Sequence, residues 1–382
     1  MDIVDDELNK KLKAIKKQID EGIKNSFKNS AQKTEEIKNE LINNHNFGIQ
    51  EKKIFIKKFF EKEYNMIPKI QLIPDNMNDL NYFINAILLM LANLETISQF
   101  CLEEKYKEIT RKLPQKNDDY FIVLFIDFVK NMYLTKNNNV NIIPIHNFLK
   151  QELNKEPFGY LCQTPAFLIN KILYYLESDI NKTNERNIII NNFSAIIKTM
   201  KFCSKCKLLV DISTDKKFVL DLYLKETIEK DIHEEMKSIL KPLLKEEQLD
   251  KAKFPCPTCK QDMTIFRTIE NPKNYLIFNI NRNAQLENPI KIKYSTELKL
   301  TEEKNDKEYE HEYELILALT DKNNEQNNYI LFFKNFINDK WYKLFNGKNE
   351  DVKENIKDEI NMTNPNILIY KKKFIKLGIN YI

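Results

Sequence analysis

Two Cys-x-x-Cys pairs are the residues whose type and spacing most clearly indicate chemistry in this sequence. They are Cys203 with Cys206 and Cys256 with Cys259. Two intervening residues allow both sulfurs of a pair to reach one tetrahedral ion at about 2.3 Å. Two such pairs complete a closed site, which has a structural role because no position is left for a substrate. The pattern predicts a structural Zn²⁺ ion; an iron–sulfur cluster and four free thiols are the alternatives.

The remaining cysteines and the histidines lack such spacing. Cys101 and Cys162 are isolated in apolar surroundings, which favours buried structural thiols. The histidines are expected at surface or structural positions: His45, His146, His233 and His311. Cysteines paired for metal also favour a reducing compartment, because secreted proteins place their cysteines in disulfides. We therefore expect an intracellular protein, in the nucleus or in the cytoplasm, the cilium and cytoskeleton included.

The elements that would position the two pairs change character along the chain. Before about residue 200, apolar residues recur with helical spacing, and segments 85–94, 121–133 and 167–176 are predicted helices. Beyond it, short alternating segments predict β-strands. The predicted strands are 218–224, 275–280, 290–294, 313–319, 329–333 and 367–370, with one helical insertion at 231–250. A helical half followed by a β-rich half predicts an α+β architecture.

Residues 1–65 are predicted to form a separable helical extension. Gly22 interrupts its apolar stripe, and a coiled coil needs several sustained heptads. The stripe either packs on its own domain or docks on a partner protein. Its members recur at three- and four-residue steps: Leu8, Leu12, Ile15, Ile19, Ile23 and Phe27.

Composition excludes several classes of function. The chain has 382 residues, 30% of them charged, but a net charge of only +4, which gives no basis for bulk capture of nucleic acid or an acidic membrane. Five glycines and no Gly-rich loop argue against nucleotide binding. The acidic start is unlike a signal peptide, and the longest apolar run, 86–92, is too short for a membrane helix. Abundant Lys, Asn and Ile match AT-rich codons and favour a protist source.

The order of these features resembles the ubiquitin-specific protease family from about residue 70 onward. An apolar helix with Asn85 near its start comes first, followed by the two cysteine pairs. A Pro-x-x-Tyr-Leu-Ile stretch from Pro272 leads to Arg282, and Trp341-Tyr342 follows later. The resemblance implies a papain-like fold: a helical thumb (66–200), β fingers with a four-cysteine zinc site (201–270) and a β palm (271–382). Together these form one domain, 66–382, behind the extension 1–65.

The same resemblance places the family's catalytic positions on residues without the required chemistry. The cysteine position falls on Tyr82, or on Asn81 if the register shifts by one residue. The Gly-His-Tyr motif reads Asn327-Asn328-Tyr329 here, so the histidine position is Asn328. The third, orienting residue falls on Phe345, or on Asn346 with one insertion. A cysteine protease needs a thiolate and a general base, and neither an amide nor a phenol replaces them near neutral pH.

We therefore interpret the sequence as a catalytically inactive relative that acts as a scaffold or structural subunit of a multi-subunit complex. Other proteins are the expected partners, without direct nucleic acid or membrane contact. Retained fingers favour residual ubiquitin binding, whereas Tyr82 and Asn327 would narrow the channel for the ubiquitin tail. The alternative is an active cysteine deubiquitinase with a rearranged site.

Overall fold

The structure is a computed structural model, and it describes part of the chain. The chain divides into two units, Met1–Glu63 and Tyr64–Ile382, and every described residue belongs to the second. The predicted extension and its apolar stripe therefore lie outside the described residues. The described residues are 80–102, 106–114, 120–134, 140, 142–156, 164–223, 234–235, 247–248, 255–261, 263–270, 272–281, 292–304, 307–321, 329–336, 338–345, 348–352 and 355–373.

The first part of this unit is helical, as the apolar spacing predicts. Thr164 caps one helix by accepting a hydrogen bond from the Phe167 amide at 3.3 Å, and Asn187 caps the next with its side chain. Leu80–Ala92 is buried along Ile84 to Ala92 and packs against three other elements, Glu95–Leu102, Pro165–Asn181 and Tyr329–Lys334. The helices are α1 (Leu80–Ala92), α2 (Glu95–Leu102), α3 (Tyr106–Lys112), α4 (Phe121–Leu134), α5 (Ile143–Leu153), α6 (Pro165–Asn181) and α7 (Ile188–Phe193).

The next strands form the fingers, a four-stranded sheet. Its strands are β1 (Ala195–Cys203), β2 (Leu208–Lys217), β5 (Glu247–Gln248) and β6 (Thr264–Glu270). Their order is β2-β1-β6-β5, and neighbouring strands are antiparallel. β1 and β2 are a hairpin, and β6 returns to pair with β1 from the other side. This arrangement brings the end of β1 close to the start of β6.

The remaining strands build the palm around a large apolar core. Their order in the main sheet is β13-β12-β11-β10-β14-β7-β3, with β9 also paired to β10. β14 lies between β10 and β7, and β3 is parallel to β7. The helix α8 (Ile356–Thr363) precedes β14. The strands are β3 (Val219–Tyr223), β7 (Tyr275–Asn281), β9 (Glu297–Lys304), β10 (Lys307–Asp321), β11 (Tyr329–Lys334), β12 (Trp341–Phe345), β13 (Lys348–Asp351) and β14 (Ile367–Lys372).

The helical insertion predicted at 231–250 is wrong where the structure describes it. Glu234–Glu235 forms strand β4, parallel to β8 (Ile292–Lys293), and Glu247–Gln248 is the β5 strand on the fingers. Pairing with strands distant in sequence overrides the local helical preference. The predicted strands near 218, 275, 313, 329 and 367 are confirmed.

Within the described residues, no single helix is long and apolar enough to cross a membrane. By length and composition alone, a bent pair formed by Ile84–Ala92 and Glu95–Leu102 passes that test, with 78° between its halves.

Candidate functional site

The fold gathers the four predicted metal ligands at the end of the fingers. Cys203 ends β1, Cys206 lies in the turn to β2, and Cys256 and Cys259 precede β6. All four sulfurs lie within 4.8 Å of one another. The Cys203 and Cys259 sulfurs are 3.5 Å apart, and those of Cys206 and Cys256 are 3.9 Å apart. Four thiolates at about 2.3 Å from one tetrahedral ion stand roughly 3.8 Å apart, so the cluster fits zinc.

The backbone of both pairs is shaped to aim sulfurs inward. Lys207 and Lys260 each follow the second cysteine of a pair and adopt positive φ, 54° and 58°. The left-handed residue turns the chain back, and in the second pair the Lys260 amide donates to the Cys256 carbonyl at 2.9 Å. The Cys206 amide points at the Cys203 sulfur, 3.4 Å away. We call 203–207 and 256–260 the fingertip.

The fingertip has little apolar material of its own. Its buried cluster consists of Cys203, Cys256 and Met263, with Val210 and the other two cysteines half-buried against them. Backbone hydrogen bonds from Cys259 and Thr258 lower the pKa of the Cys256 thiol to about 6. A lowered thiol pKa favours the thiolate, the form that binds metal. A hydrogen bond with Cys259, followed by burial, raises the pKa of the neighbouring Cys206 thiol, so the four sulfurs do not all favour the thiolate. The geometry of the four sulfurs is therefore what indicates a cation-binding site.

The protease-like centre, comprising positions 81, 82, 328, 345 and 346, is described only in part. Asn81 and Tyr82 lie in the first turn of α1, where the resemblance places the nucleophile, but their side chains are outside the described part. Asn328 and Asn346 are also outside it. Phe345 is described, and it ends β12 opposite Ile330 of β11.

Phe345 packs where the resemblance places the orienting residue. Together with Trp341, its partly buried ring lies against the apolar core of the palm. That core includes Phe332, Phe278 and Tyr370, all fully buried. A phenyl ring offers no hydrogen-bond acceptor for orienting an imidazole. At this position the side chain contributes to packing.

A buried histidine lies on α5 against α1, and sequence reasoning did not single out this contact. His146 Nε2 lies 2.8 Å from Asn85 Oδ1, and both residues are buried. Burial lowers the pKa of His146 to about 4, so the ring is neutral near pH 7 and donates its N–H to the amide oxygen. The two residues are 61 positions apart, and no local pattern marks the pair. The structural role expected for His146 fits this environment.

The other cysteines and histidines occupy varied positions. Cys101 lies in α2 with 1% of its surface exposed, and burial raises the pKa of its thiol well above the usual range. His311 is half-buried in β10, opposite Leu300 of β9. Cys162, His45 and His233 lie outside the described residues.

A partly buried polar junction fixes the helical layer to the palm near the start of α2. The Thr96 amide and hydroxyl lie 3.3 and 3.2 Å from the Tyr275 hydroxyl. The Tyr275 ring stacks on Phe193 with centroids 4.8 Å apart. Glu95 pairs with Lys371 of β14 beside it. These contacts hold α2, and with it the end of α1, at a fixed place on the sheet.

Comparison with known proteins places these features in context. The model of the ubiquitin carboxyl-terminal hydrolase family matches residues 77–370. A search of curated proteins finds no match at a significant level. Among solved structures, a chain of the SAGA Ubp8/Sgf11/Sus1/Sgf73 DUB module bound to ubiquitin aldehyde is similar, with a TM-score of 0.65 and 18% identity. That match covers 81% of this chain and 71% of the other.

Two further structures agree. The SAGA DUB module carrying a Ubp8 variant and bound to monoubiquitin matches with a TM-score of 0.63 and 18% identity over 84% of this chain and 74% of that chain. The yeast SAGA module with an Sgf73 mutant matches with a TM-score of 0.63 and 16% identity over 81% and 70%. The shared fold agrees with the predicted thumb, fingers and palm. The family model matches residues 77–370, which is most of the chain, and the chain therefore belongs to the ubiquitin carboxyl-terminal hydrolase family.

Proposed function

We propose that this chain is a catalytically inactive member of its family and holds other proteins within a larger assembly. The observation that supports the proposal is the packing of the Phe345 ring on the palm core, because the resemblance assigns the orienting residue to Phe345, or to Asn346 with one insertion. The sequence supplies Tyr82 or Asn81 at the nucleophile position and Asn328 at the base position. Replacement of nucleophile and base together removes the mechanism of a cysteine protease.

The described cysteines and histidines do not offer a replacement pair. Cys101 is buried with a raised pKa, which disfavours the reactive thiolate. His146 is buried and bonded to Asn85. The four fingertip cysteines face one another, as ligands of one ion would. An active enzyme with a rearranged site would depend on Cys162, which lies outside the described part of the chain.

The fingertip cysteines support a structural Zn²⁺ ion in this proposal. Cys203, Cys206, Cys256 and Cys259 form a closed set of four sulfur ligands, and such sites contribute to folding. The ion would hold the β1–β2 hairpin to the start of β6. Paired thiolates of this kind also fit a reducing, intracellular compartment.

Protein partners are supported by the assemblies in which the similar folds were solved. These structures are of a module of Ubp8 with Sgf11, Sus1 and Sgf73, in two cases bound to ubiquitin or its aldehyde. We propose the same kind of role here, as a subunit with protein neighbours. The fingers are compatible with residual ubiquitin binding. Titration of the chain with ubiquitin measures this binding independently of catalysis.

A ubiquitin probe with a C-terminal electrophile tests the proposal. We expect no labelling of the full chain under conditions in which an active family member labels completely. A labelled cysteine would overturn the proposal, and Cys162→Ala against Cys101→Ala would then locate the nucleophile. Affinity purification from the native source should recover a stable complex in place of free chain.

A further inference from the structure

The outer edge of the fingers is an unpaired strand with apolar side chains in solvent. β2 is the first strand of its sheet, and no strand within the described ranges pairs with its outer side. Every residue of β2 except Val210 is exposed. Three of the large exposed side chains lie here: Leu208 at 55%, Leu209 at 50% and Ile212 at 51% exposure. A free edge with apolar side chains is a template for strand addition.

A β-bulge determines which apolar side chains of β2 lie on the same face of the sheet. Leu209 pairs with Phe202, and Ile212 pairs with Met200, two residues further along β1. Paired residues share a face, so Leu209 and Ile212 lie on the same face of the sheet. Between them, the ladder shifts register and Val210 turns to the cysteine cluster. Because of the bulge, Leu209 and Ile212 share one face of β2, while Val210 between them packs against the cysteine cluster.

The fingertip beside this edge is basic. Lys205, Lys207 and Lys260 are exposed, and no ion pair involves them among the described residues. The other exposed fingertip residues carry no charge: Ser204, Pro257 and Thr258. Zinc with four thiolates has a net charge of about −2, so the three lysines leave an excess of positive charge. On β2 itself, Asp211 pairs with Lys201 and Asp215 pairs with Lys217, so the positive charge left over at this end of the strand is that of the fingertip lysines. The edge therefore combines apolar contacts with attraction for an acidic partner at the fingertip.

A second copy of the chain fits this surface poorly. Antiparallel pairing of two β2 strands would bring Lys216 and Lys217 of one copy toward the fingertip lysines of the other. Lys216 and Lys217 already pair with Glu177 and Asp215, so these two carboxylates are not free to pair with the fingertip lysines. Like charges opposite each other destabilise strand pairs. The occupant favoured by charge is thus a different chain with acidic side chains.

We propose that the outer edge of β2, together with Lys205, Lys207 and Lys260, binds an extended acidic segment of a partner protein by strand addition. The inference rests on the proposed role in an assembly and names the surface and the chemistry of the partner. Backbone hydrogen bonds supply the pairing, Leu209 and Ile212 contact alternate apolar side chains, and the lysines attract the carboxylates.

A synthetic peptide tests the surface with the full chain in its zinc-loaded form. The probe is a labelled peptide of ten residues, the length of β2, with alternating Glu and Val; its counterpart carries Lys in place of Glu. We expect the acidic peptide to bind at least about tenfold more tightly in fluorescence anisotropy. Raising ionic strength from about 0.01 M to about 1 M should weaken binding, since exposed charges are screened. Equal binding of both peptides would overturn the proposal.

Two sets of variants assign the binding to this edge. Combined Lys205→Glu, Lys207→Glu and Lys260→Glu substitutions, or Ile212→Asp alone, should weaken the acidic peptide at least about tenfold. Matched controls at exposed sites elsewhere, Lys340→Glu and Met362→Asp, should leave its affinity unchanged. Hydrogen exchange should show β2 amides protected by the peptide. If the affinity for the acidic peptide were unchanged in the fingertip and β2 variants, the assignment of the binding surface would be refuted.

Two further measurements separate the possible failures. If the lysine variants lose zinc while binding the peptide normally, the lysines only balance the charge of the metal site, and the docking surface is refuted. Variants that no longer bind the peptide should still give no labelling with the electrophile probe, because the probe tests only the protease-like centre. Conversely, labelling by the probe would overturn the proposed function without altering the peptide measurements.

Discussion

The fingertip and the protease-like centre are both places where segments distant in sequence meet, but different forces hold them. At the fingertip, four cysteines converge, and the buried cluster described there has three residues, two of which are cysteines of this set. At the protease-like centre, β11 and β12 rest on the palm core, which is several times larger. A small projection with little core needs a cross-link, whereas a strand on a large core tolerates a new side chain. In this molecule, four cysteines converge where packing is weak, and the ring of Phe345, one of the two residues to which the resemblance assigns the orienting position, packs on a large apolar core.

Removal of a fingertip cysteine should have the largest effect. We expect Cys203→Ala to lower zinc content to background, measured by elemental analysis, and to destabilise the fingers by more than about 4 kcal/mol through metal loss. Hydrogen exchange of β1 and β2 should rise. Cys101→Ala is the matched control, because it removes a buried thiol that lies outside the cluster and should retain zinc. Unchanged fingers after metal loss would contradict the contrast between the two regions.

A polar residue introduced at position 345 should lower the stability of the fold. Phe345→Asp exchanges a ring packed on the palm core for a carboxylate, and we expect a loss of about 2–4 kcal/mol in denaturant unfolding. Phe345→Leu keeps an apolar side chain and should lose less than about 1.5 kcal/mol. If the aspartate variant were as stable as the parent, the ring would not be part of the core.

The His146–Asn85 contact predicts a pH dependence of the helical layer. The pKa of His146 is about 4 in the folded chain, below its ordinary value of 6.5. The unfolded state therefore binds more protons between these values, and stability rises with pH there. The contribution is fully present above pH 6.5 and is lost as pH falls toward 4, by roughly 1–3 kcal/mol. His146→Gln keeps a hydrogen-bonding side chain without titration, so its unfolding free energy should vary less over this window. An identical pH profile would exclude His146 as the titrating group.

The smallest effect is expected at the junction between the helical layer and the palm. Tyr275→Phe removes the hydroxyl that contacts Thr96 but keeps the ring stacked on Phe193. The loss should be about 1 kcal/mol in thermal or denaturant unfolding. Thr96→Val removes only the partner hydroxyl and should cost a similar amount. A double variant that loses no more than either single one would show that the two groups act through one contact.

Sequence patterns predicted the parts of this molecule that depend on local spacing. The cysteine pairs are recognisable because each pair is fixed by two intervening residues, and the strands of the palm show alternation within their own segments. The contacts of His146 with Asn85 and of Tyr275 with Thr96 join residues far apart in the chain, so no local pattern announces them. The helix predicted at 231–250 was wrong at Glu234 and Glu247 because strand partners elsewhere decide those residues. The packing of Phe345 could not be predicted from its own segment, because the palm core that it contacts is formed by residues distant in sequence.

The position of β14 has a consequence for how the protein is made. It follows all other described strands in the chain, yet it lies between β10 and β7, and Ile367, Leu368, Ile369 and Tyr370 are fully buried. During synthesis, β10 and β7 are both translated before β14. Until β14 emerges from the ribosome, the strand edges of β10 and β7 that pair with it remain unpaired. Late, long-range pairing of this kind is slow and exposes strand edges to aggregation. The nascent chain should therefore depend on chaperones, and a product that stops before residue 367 should leave the palm in two halves.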